Sequence, residues 1–340
     1  MEINKTIVDE FEEREKKSIT ILFGACLGVC MALRKGQEIQ SKEGGRSRKI
    51  SQDLYTVGQW KGSCPTYVYQ LNKLKRGFFN FIDRRRYFLF SFIKELPQNA
   101  KVLDWGCGTG YLVLPLKKEL NMDAYGCDAA QYPLDVLKEY AKEKKIEINL
   151  KQCDEYTLPY PDEFFDGIIS ADVFGHVSNP EKSVKELYRI LKKGGIIAIQ
   201  SESIHYRDRY FYKRIMNILK KDPWAEDVGH INLMSHEEIK ESFEKQGFVV
   251  EKSFSAAQYL GFFLNGDIMW GLKQLKKEQM DISLTLLVRW HVFLATPTNS
   301  WFYRYLRLLI NILLVIEERI EVALHCAPGG SLYLKLRKVK

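Results

Sequence analysis

The sequence predicts an α/β protein built on a mostly parallel, seven-stranded sheet with helices on both faces, with helical additions at the N- and C-terminal ends. Three observations predict it. Between residue 98 and about residue 200, short apolar runs alternate with amphipathic stretches, the pattern of a parallel sheet threaded by crossover helices. A glycine-rich turn, Gly106-Cys107-Gly108-Thr109-Gly110, follows the first apolar run directly, where a strand must hand over to a helix. Near the C-terminus, Leu332, Leu334 and Leu336 alternate with polar residues as a half-buried strand does.

The elements can be placed in order. Lys101–Asp104 reads as the first strand, Ala124–Cys127 as the second, Ile146–Leu150 as the third, Gly167–Ser170 as the fourth and Ile196–Ile199 as the fifth. Before the fifth strand lies a helix capped by Asn179, with Pro180 in its first position and Val184, Leu187, Ile190 and Leu191 along one face. Lys192, Lys193 and Gly194 are expected to close it. Ser235 and Glu238 fit a capping box, and Met234 and Ile239 a hydrophobic staple, for a further helix that ends at Gly247. Phe248–Val250 then begins the sixth strand, and Ser331–Leu336 is the best candidate for the last. The expected organisation is therefore a helical extension over 1–97, a core over 98–255, a helical insertion or substrate lid over 256–330 and a final core strand over 331–338.

Composition narrows the class. With 340 residues, 46% hydrophobic and 28% charged, the chain can bury a large core. The net charge is +8, but lysines and arginines are interleaved with acids as on a solvated surface, so no nucleic-acid partner is expected. The seven cysteines are odd in number and lack paired spacing, which points to a reducing, cytoplasmic setting. Cys26 and Cys30 have no second pair with which to complete a zinc site, so no metal is expected. Residues Ile19–Leu33 are almost wholly apolar but fall short of the ~18 residues that span a bilayer. They read as a buried helix, with peripheral contact to a membrane as the alternative.

The spacing of the glycines carries chemistry. A dinucleotide-binding turn wants G-x-G-x-x-G, and here Gly106, Gly108 and Gly110 give G-x-G-x-G with Tyr111 in the dinucleotide glycine's place. A phosphate loop would need Gly-Lys-Ser/Thr, which does not follow. Asp104 approaches the loop from the first strand, where its charge would repel a pyrophosphate and suit a cationic ligand. Asp128 ends the second strand, where a carboxylate can accept both hydroxyls of a ribose. Asp154 follows the third strand and could accept an adenine amino group.

With these residues the chain resembles class I methyltransferases, particularly the broad quinone-biosynthesis-like group. The resemblance is carried by Val102–Gly110, Gly126-Cys127-Asp128, Cys153–Gly167, and the stretch from Asp172-Val-Phe-Gly-His-Val177 to Leu191-Lys-Lys-Gly-Gly195. Gly229–Ser235 and Gly247-Phe248 extend it to about residue 250. It implies a Rossmann-like fold and S-adenosylmethionine as cofactor, a ligand with a sulfonium and an ammonium. By the family pattern, Asp104, Gly106, Cys107, Gly108 and Gly110 would surround the methionine end. Asp128 and Ala129 would hold the ribose, and Asp154 and Glu155 would border the adenine. Ser170, Ala171 and Asp172 would face cofactor and acceptor. The chain departs from the pattern at Pro115, inside the helix expected after the loop, at Gly175 before His176, and in the late position of its last strand.

The acceptor is less legible. Methyl transfer needs alignment and, for a hydroxyl acceptor, a base. His230, His176 and His205 are candidates for the base, and Asp172 could contact an ammonium. Leu308–Ile316 is apolar except for Asn311, and suits a core helix, a dimer face, a lid or a membrane-contact helix. The expected function is methyl transfer to an oxygen or carbon of a small-molecule or lipid-linked acceptor. The alternative is a cofactor-binding scaffold without turnover.

Overall fold

A computed structural model describes residues 84–208, 210–222, 230–256, 275–286 and 329–339, together with residues 309, 313, 316 and 320. The apolar run 19–33 and the N-terminal cysteines lie outside the described residues. In chain order the elements are α1 (Arg84–Ile93), β1 (Lys101–Trp105), α2 (Val113–Glu119), β2 (Asp123–Asp128), α3 (Gln131–Glu143), β3 (Asn149–Gln152), β4 (Phe165–Ala171), α4 (Pro180–Ile190), β5 (Leu191–Glu202), α5 (Tyr210–Leu219), α6 (His236–Glu244), β6 (Phe248–Ala256) and β7 (Ser331–Lys338).

The strands form one seven-stranded sheet in the order β3-β2-β1-β4-β5-β7-β6. β1 to β5 are parallel, and β7 enters antiparallel between β5 and β6. The late strand thus completes the core, with Ile199 opposite Leu334. The segment between β6 and β7 is an insertion into that core.

Alternation along the strands divides the core into two layers. Val102, Ile169, Ile196 and Ala198 face α1, α2 and α3, whereas Leu103, Ile168, Ile197 and Ile199 face α4 and α6. Phe88, Leu89, Phe92 and Ile93 of α1 belong to the first layer, so this helix packs on the sheet with the core.

Local signals explain the boundaries. The Asn179 side chain accepts from the Lys182 amide at 3.0 Å and caps α4 behind Pro180. The Ser235–Glu238 capping box forms at α6, and Gly247 adopts φ +105 after it. Pro115 sits in the first turn of α2, where a missing N–H costs little.

Two expected boundaries are corrected. The third strand begins at Asn149, later than expected, because Lys145 turns left-handed (φ 53) and the Ile146 amide bonds back to the Ala141 carbonyl at 2.8 Å. Ile146 is a plug on the end of α3. Lys192–Gly194 do not close α4 but open β5, where Lys192 pairs with Asp166 at 2.6 Å. Of the apolar segment after residue 301, Leu309, Leu313, Ile316 and Ile320 are helical and solvent-exposed, and the rest lies outside the described residues. Among the described residues no helix is long and apolar enough to cross a membrane.

Candidate active site

The sheet reverses its strand order between β1 and β4, which opens a crevice at the carboxyl ends of the strands. The glycine loop leaves β1 at that point. Gly106, Gly108 and Gly110 all have positive φ, at 76, 50 and 97°. The conformation strains any residue with a Cβ. Space is a second constraint, because a Cβ on Gly106 would lie 2.2 Å from Val173 and one on Gly110 2.5 Å from Leu137. Gly106 and Cys107 both donate to the Cys127 carbonyl, at 2.8 and 2.9 Å, so the loop is fastened to the end of β2.

Two carboxylates meet this loop. Asp128 accepts from the Gly108 amide at 2.9 Å and from the Ala130 amide at 2.9 Å. Asp104 is buried, and its Oδ2 accepts from the Val113 amide at 2.9 Å at the start of α2. Its Oδ1 has no hydrogen-bond partner among the described residues. Burial pushes the Asp104 carboxyl up to about 8, opposed by the Val113 bond and reinforced by the charge of Asp128. Asp128 is raised as well, again through burial, and its backbone hydrogen bonds hold it down.

The other residues singled out in the sequence have local partners of their own. The Ala129 carbonyl accepts from the side-chain amide Nε2 of Gln152 at 2.9 Å. The Cys153 amide bonds to the Asp128 carbonyl at 3.0 Å, which fastens the residue after β3 to the end of β2. The Asp154 carboxylate accepts from the Tyr156 amide at 2.9 Å, and Glu155 accepts from the Ser178 amide at 3.0 Å. Both acids are turn-builders at the rim. Cys107 is buried under the loop with its thiol raised by burial, a neutral packing group. Ser170 is buried too, and its hydroxyl donates to the Trp105 carbonyl at 2.8 Å, locking β4 to β1. Ala171, at the end of β4, is half-buried against the first core layer.

Beyond β4 the chain carries the acceptor candidates. Asp172 is left-handed (φ 56) and forms an ion pair with Arg85 from α1. Val173 fills the space over Gly106, and the turn Phe174–His176 leads to a histidine pair. The rings of His176 and His230 stack with centroids 4.5 Å apart. His230 is buried, and its Nε2 pairs with the Glu202 carboxylate at the end of β5. Gly175 makes room for this pair: a Cβ there would stand 3.0 Å from the His230 ring, and the Gly175 carbonyl accepts from Ile231 and Asn232 at 3.0 and 3.1 Å. His176 and His230 are therefore brought together, while His205 lies against His236, with ring centroids 4.7 Å apart.

Sequence reasoning missed three residues. Glu202 carries only the signal of an acid at the C-terminal end of a central strand. Arg85 and Arg86 sit in a run of three arginines that breaks an aromatic stretch. Arg86 is fully buried, donates to the Tyr111 carbonyl at 3.1 Å and lies 5.0 Å over the Tyr111 ring, clamping α1 onto the residue that follows the glycine loop.

The donor set fits S-adenosylmethionine. The open Oδ1 of a buried acid, poised to ionise near a positive charge, suits a cation and not a phosphate. A carboxylate already oriented by two amides retains lone pairs for ribose hydroxyls.

Comparison with known proteins agrees. Residues 103–199 match the family described as "Methyltransferase domain". The chain is 31% identical over 136 residues to a probable tRNA methyltransferase 9B of Bos taurus, covering 39% of this chain and 27% of that protein. It is 33% identical over 100 residues to a demethylmenaquinone methyltransferase of Thermus thermophilus, covering 29% of this chain and 46% of that one. It is 34% identical over 102 residues to a ubiquinone biosynthesis O-methyltransferase of Pelagibacter ubique, covering 30% and 42%. The chain thus spans between about a quarter and half the length of these curated relatives. The loop, its two acids and the family match agree on one assignment: residues 103–199 are a methyltransferase domain of the class I, S-adenosylmethionine-dependent type.

Proposed function

We propose that the chain transfers a methyl group from S-adenosylmethionine to an oxygen or carbon of a small-molecule or lipid-linked acceptor. The observation that carries this reading is the pair Asp104 and Asp128, set at the ends of adjacent parallel strands and both bonded to the backbone that follows β1. In this reading Asp104, Gly106, Cys107, Gly108 and Gly110 border the methionine end, Asp128 and Ala129 the ribose, and Asp154 and Glu155 the adenine. Ser170 and Ala171 form the floor between cofactor and acceptor. The cofactor supplies a methyl group on a positively charged sulfur, open to direct displacement.

The protein's share of the work is alignment, exclusion of water and proton handling. Asp172, His176 and His230 lie on the acceptor side. Glu202 holds His230 by Nε2 and would stabilise the imidazolium formed when the ring takes a proton from an acceptor hydroxyl.

Phosphate backbones are bound by basic side chains that are not already neutralised, and among the described residues Arg85, Arg207 and Arg214 are each paired with a carboxylate: Asp172, Asp222 and Asp281 respectively. The test is transfer of labelled methyl to three parallel pools: polar metabolites, a lipid extract and total tRNA. Label in either of the first two pools supports the reading, and label in tRNA alone contradicts it. Cofactor binding with no transfer to any pool favours the scaffold alternative.

A further inference from the structure

Among the described residues, Gln200 on β5 is fully buried and neither its Nε2 nor its Oε1 makes a hydrogen bond. A buried amide without partners is costly and calls for an explanation. Its surroundings are unusual as well. Gln200 pairs in register with Ala171 of β4 and Tyr333 of β7, and Tyr333 pairs with Phe254 of β6. Residues opposite one another share a face of the sheet, so Ala171, Gln200, Tyr333 and Phe254 form one row. Phe88 of α1 covers it, with its ring 4.6 Å from Phe254 and 5.2 Å from Tyr333, and the rings of Phe254 and Tyr333 stack at 5.2 Å. The row ends at the candidate active site, because the Gln200 carbonyl accepts from the amide of Asp172 at 3.2 Å. Asp172 holds a left-handed conformation there and ties down the first turn of α1 through Arg85.

We propose that Gln200 is a substrate-contacting residue that selects the methyl acceptor. Its amide hydrogen-bonds an oxygen on a planar ring, which enters between the sheet and the first turn of α1 and lies against Tyr333 and Phe88. The inference rests on the methyltransferase reading and deepens it by naming the acceptor's chemical class. The amide offers a donor and an acceptor side by side, the complement of a ring hydroxyl or carbonyl. The aromatic side chains around it favour a flat ring over a sugar or a flexible chain. Gln200 is fully buried and Phe88 covers the row, so entry requires that the first turns of α1 move off the sheet; the Arg85–Asp172 pair, with both side chains partly exposed where such pairs are weak, is one contact that must open. Asp172 stands at the end of the row, joined to it through the Gln200 carbonyl.

The test uses the full chain and its Gln200→Met variant, which keeps side-chain volume and removes both hydrogen-bonding atoms. The probes are catechol, 2-hydroxy-1,4-naphthoquinone, the saturated control cyclohexane-1,2-diol and total tRNA. We expect the wild type to methylate a ring probe and neither the saturated diol nor tRNA. The variant should bind S-adenosylmethionine as the wild type does and melt at the same or a higher temperature. Its kcat/KM for the ring probe should fall at least tenfold, mainly through KM. A lower melting temperature would show that the amide has a structural partner and would overturn the proposal. So would unchanged kcat/KM, transfer only to tRNA, or the absence of both methylation and a melting shift with any ring probe while the cofactor still binds. Failure of the wild type to bind the cofactor would instead overturn the underlying methyltransferase reading.

Discussion

The Asp128 carboxylate accepts the Gly108 amide at 2.9 Å, so the end of β2 fixes the centre of the glycine loop. The same carboxylate is assigned to the ribose, and its two tasks predict a graded series. Asp128→Asn keeps one acceptor oxygen and should weaken cofactor binding several-fold. Asp128→Ala removes the ribose contact and the loop restraint together. It should cost about 2–3 kcal/mol of binding, roughly a hundredfold in Kd. Titration calorimetry of both variants checks the order.

Asp104 predicts a pH signature. Its folded pKa, pushed up to about 8, lies above the ordinary carboxyl value, so the unliganded fold favours the protonated form. The stability of the wild type relative to Asp104→Asn should therefore fall as pH rises from about 4 to about 8 and level off above. A cationic ligand draws the ionised form, so binding below pH 8 should release a proton, and affinity should rise with pH by at most about tenfold per unit. Calorimetry in buffers of different ionisation enthalpy measures the proton count. A count of zero at pH 6 contradicts this role for Asp104.

The Glu202–His230 pair predicts a defect confined to turnover. Glu202→Gln and His230→Asn should each lower kcat by about ten- to a thousandfold for a hydroxyl acceptor, with cofactor Kd unchanged. Gly175→Ala should give a smaller loss of the same kind, since its Cβ would press on the His230 ring. Equal kcat in all three variants would remove the base from the account.

A control on the scaffold is provided by α6. Ser235→Ala deletes the oxygen that accepts the Glu238 amide and should destabilise the fold by about 1 kcal/mol without altering cofactor affinity. Chemical denaturation measures it.

How much was legible depends on whether a feature is local. The caps at Asn179 and Ser235, the glycine loop and the alternating leucines of β7 are set by neighbours in the chain, and each stands where the sequence places it. The start of β3 was misplaced because Ile146 folds back on α3, a contact that alternation alone does not reveal. The acids around the loop were readable because they end strands. Their bonds to Gly108 and Val113 were not, since these depend on how β1, β2 and α2 meet. Glu202, Arg85 and Gln200 become visible only through pairs that join distant parts of the chain: Glu202 with His230, Arg85 with Asp172, and Gln200 with Tyr333.

The central claim is that the glycine loop and its two acids form one cofactor site. The most direct measurement is calorimetric titration of the wild type, Asp104→Asn and Asp128→Ala with S-adenosylmethionine. The account predicts one site per chain in the wild type and marked weakening in each variant, with all three proteins folded. No binding by the wild type, or equal binding by all three, would contradict it.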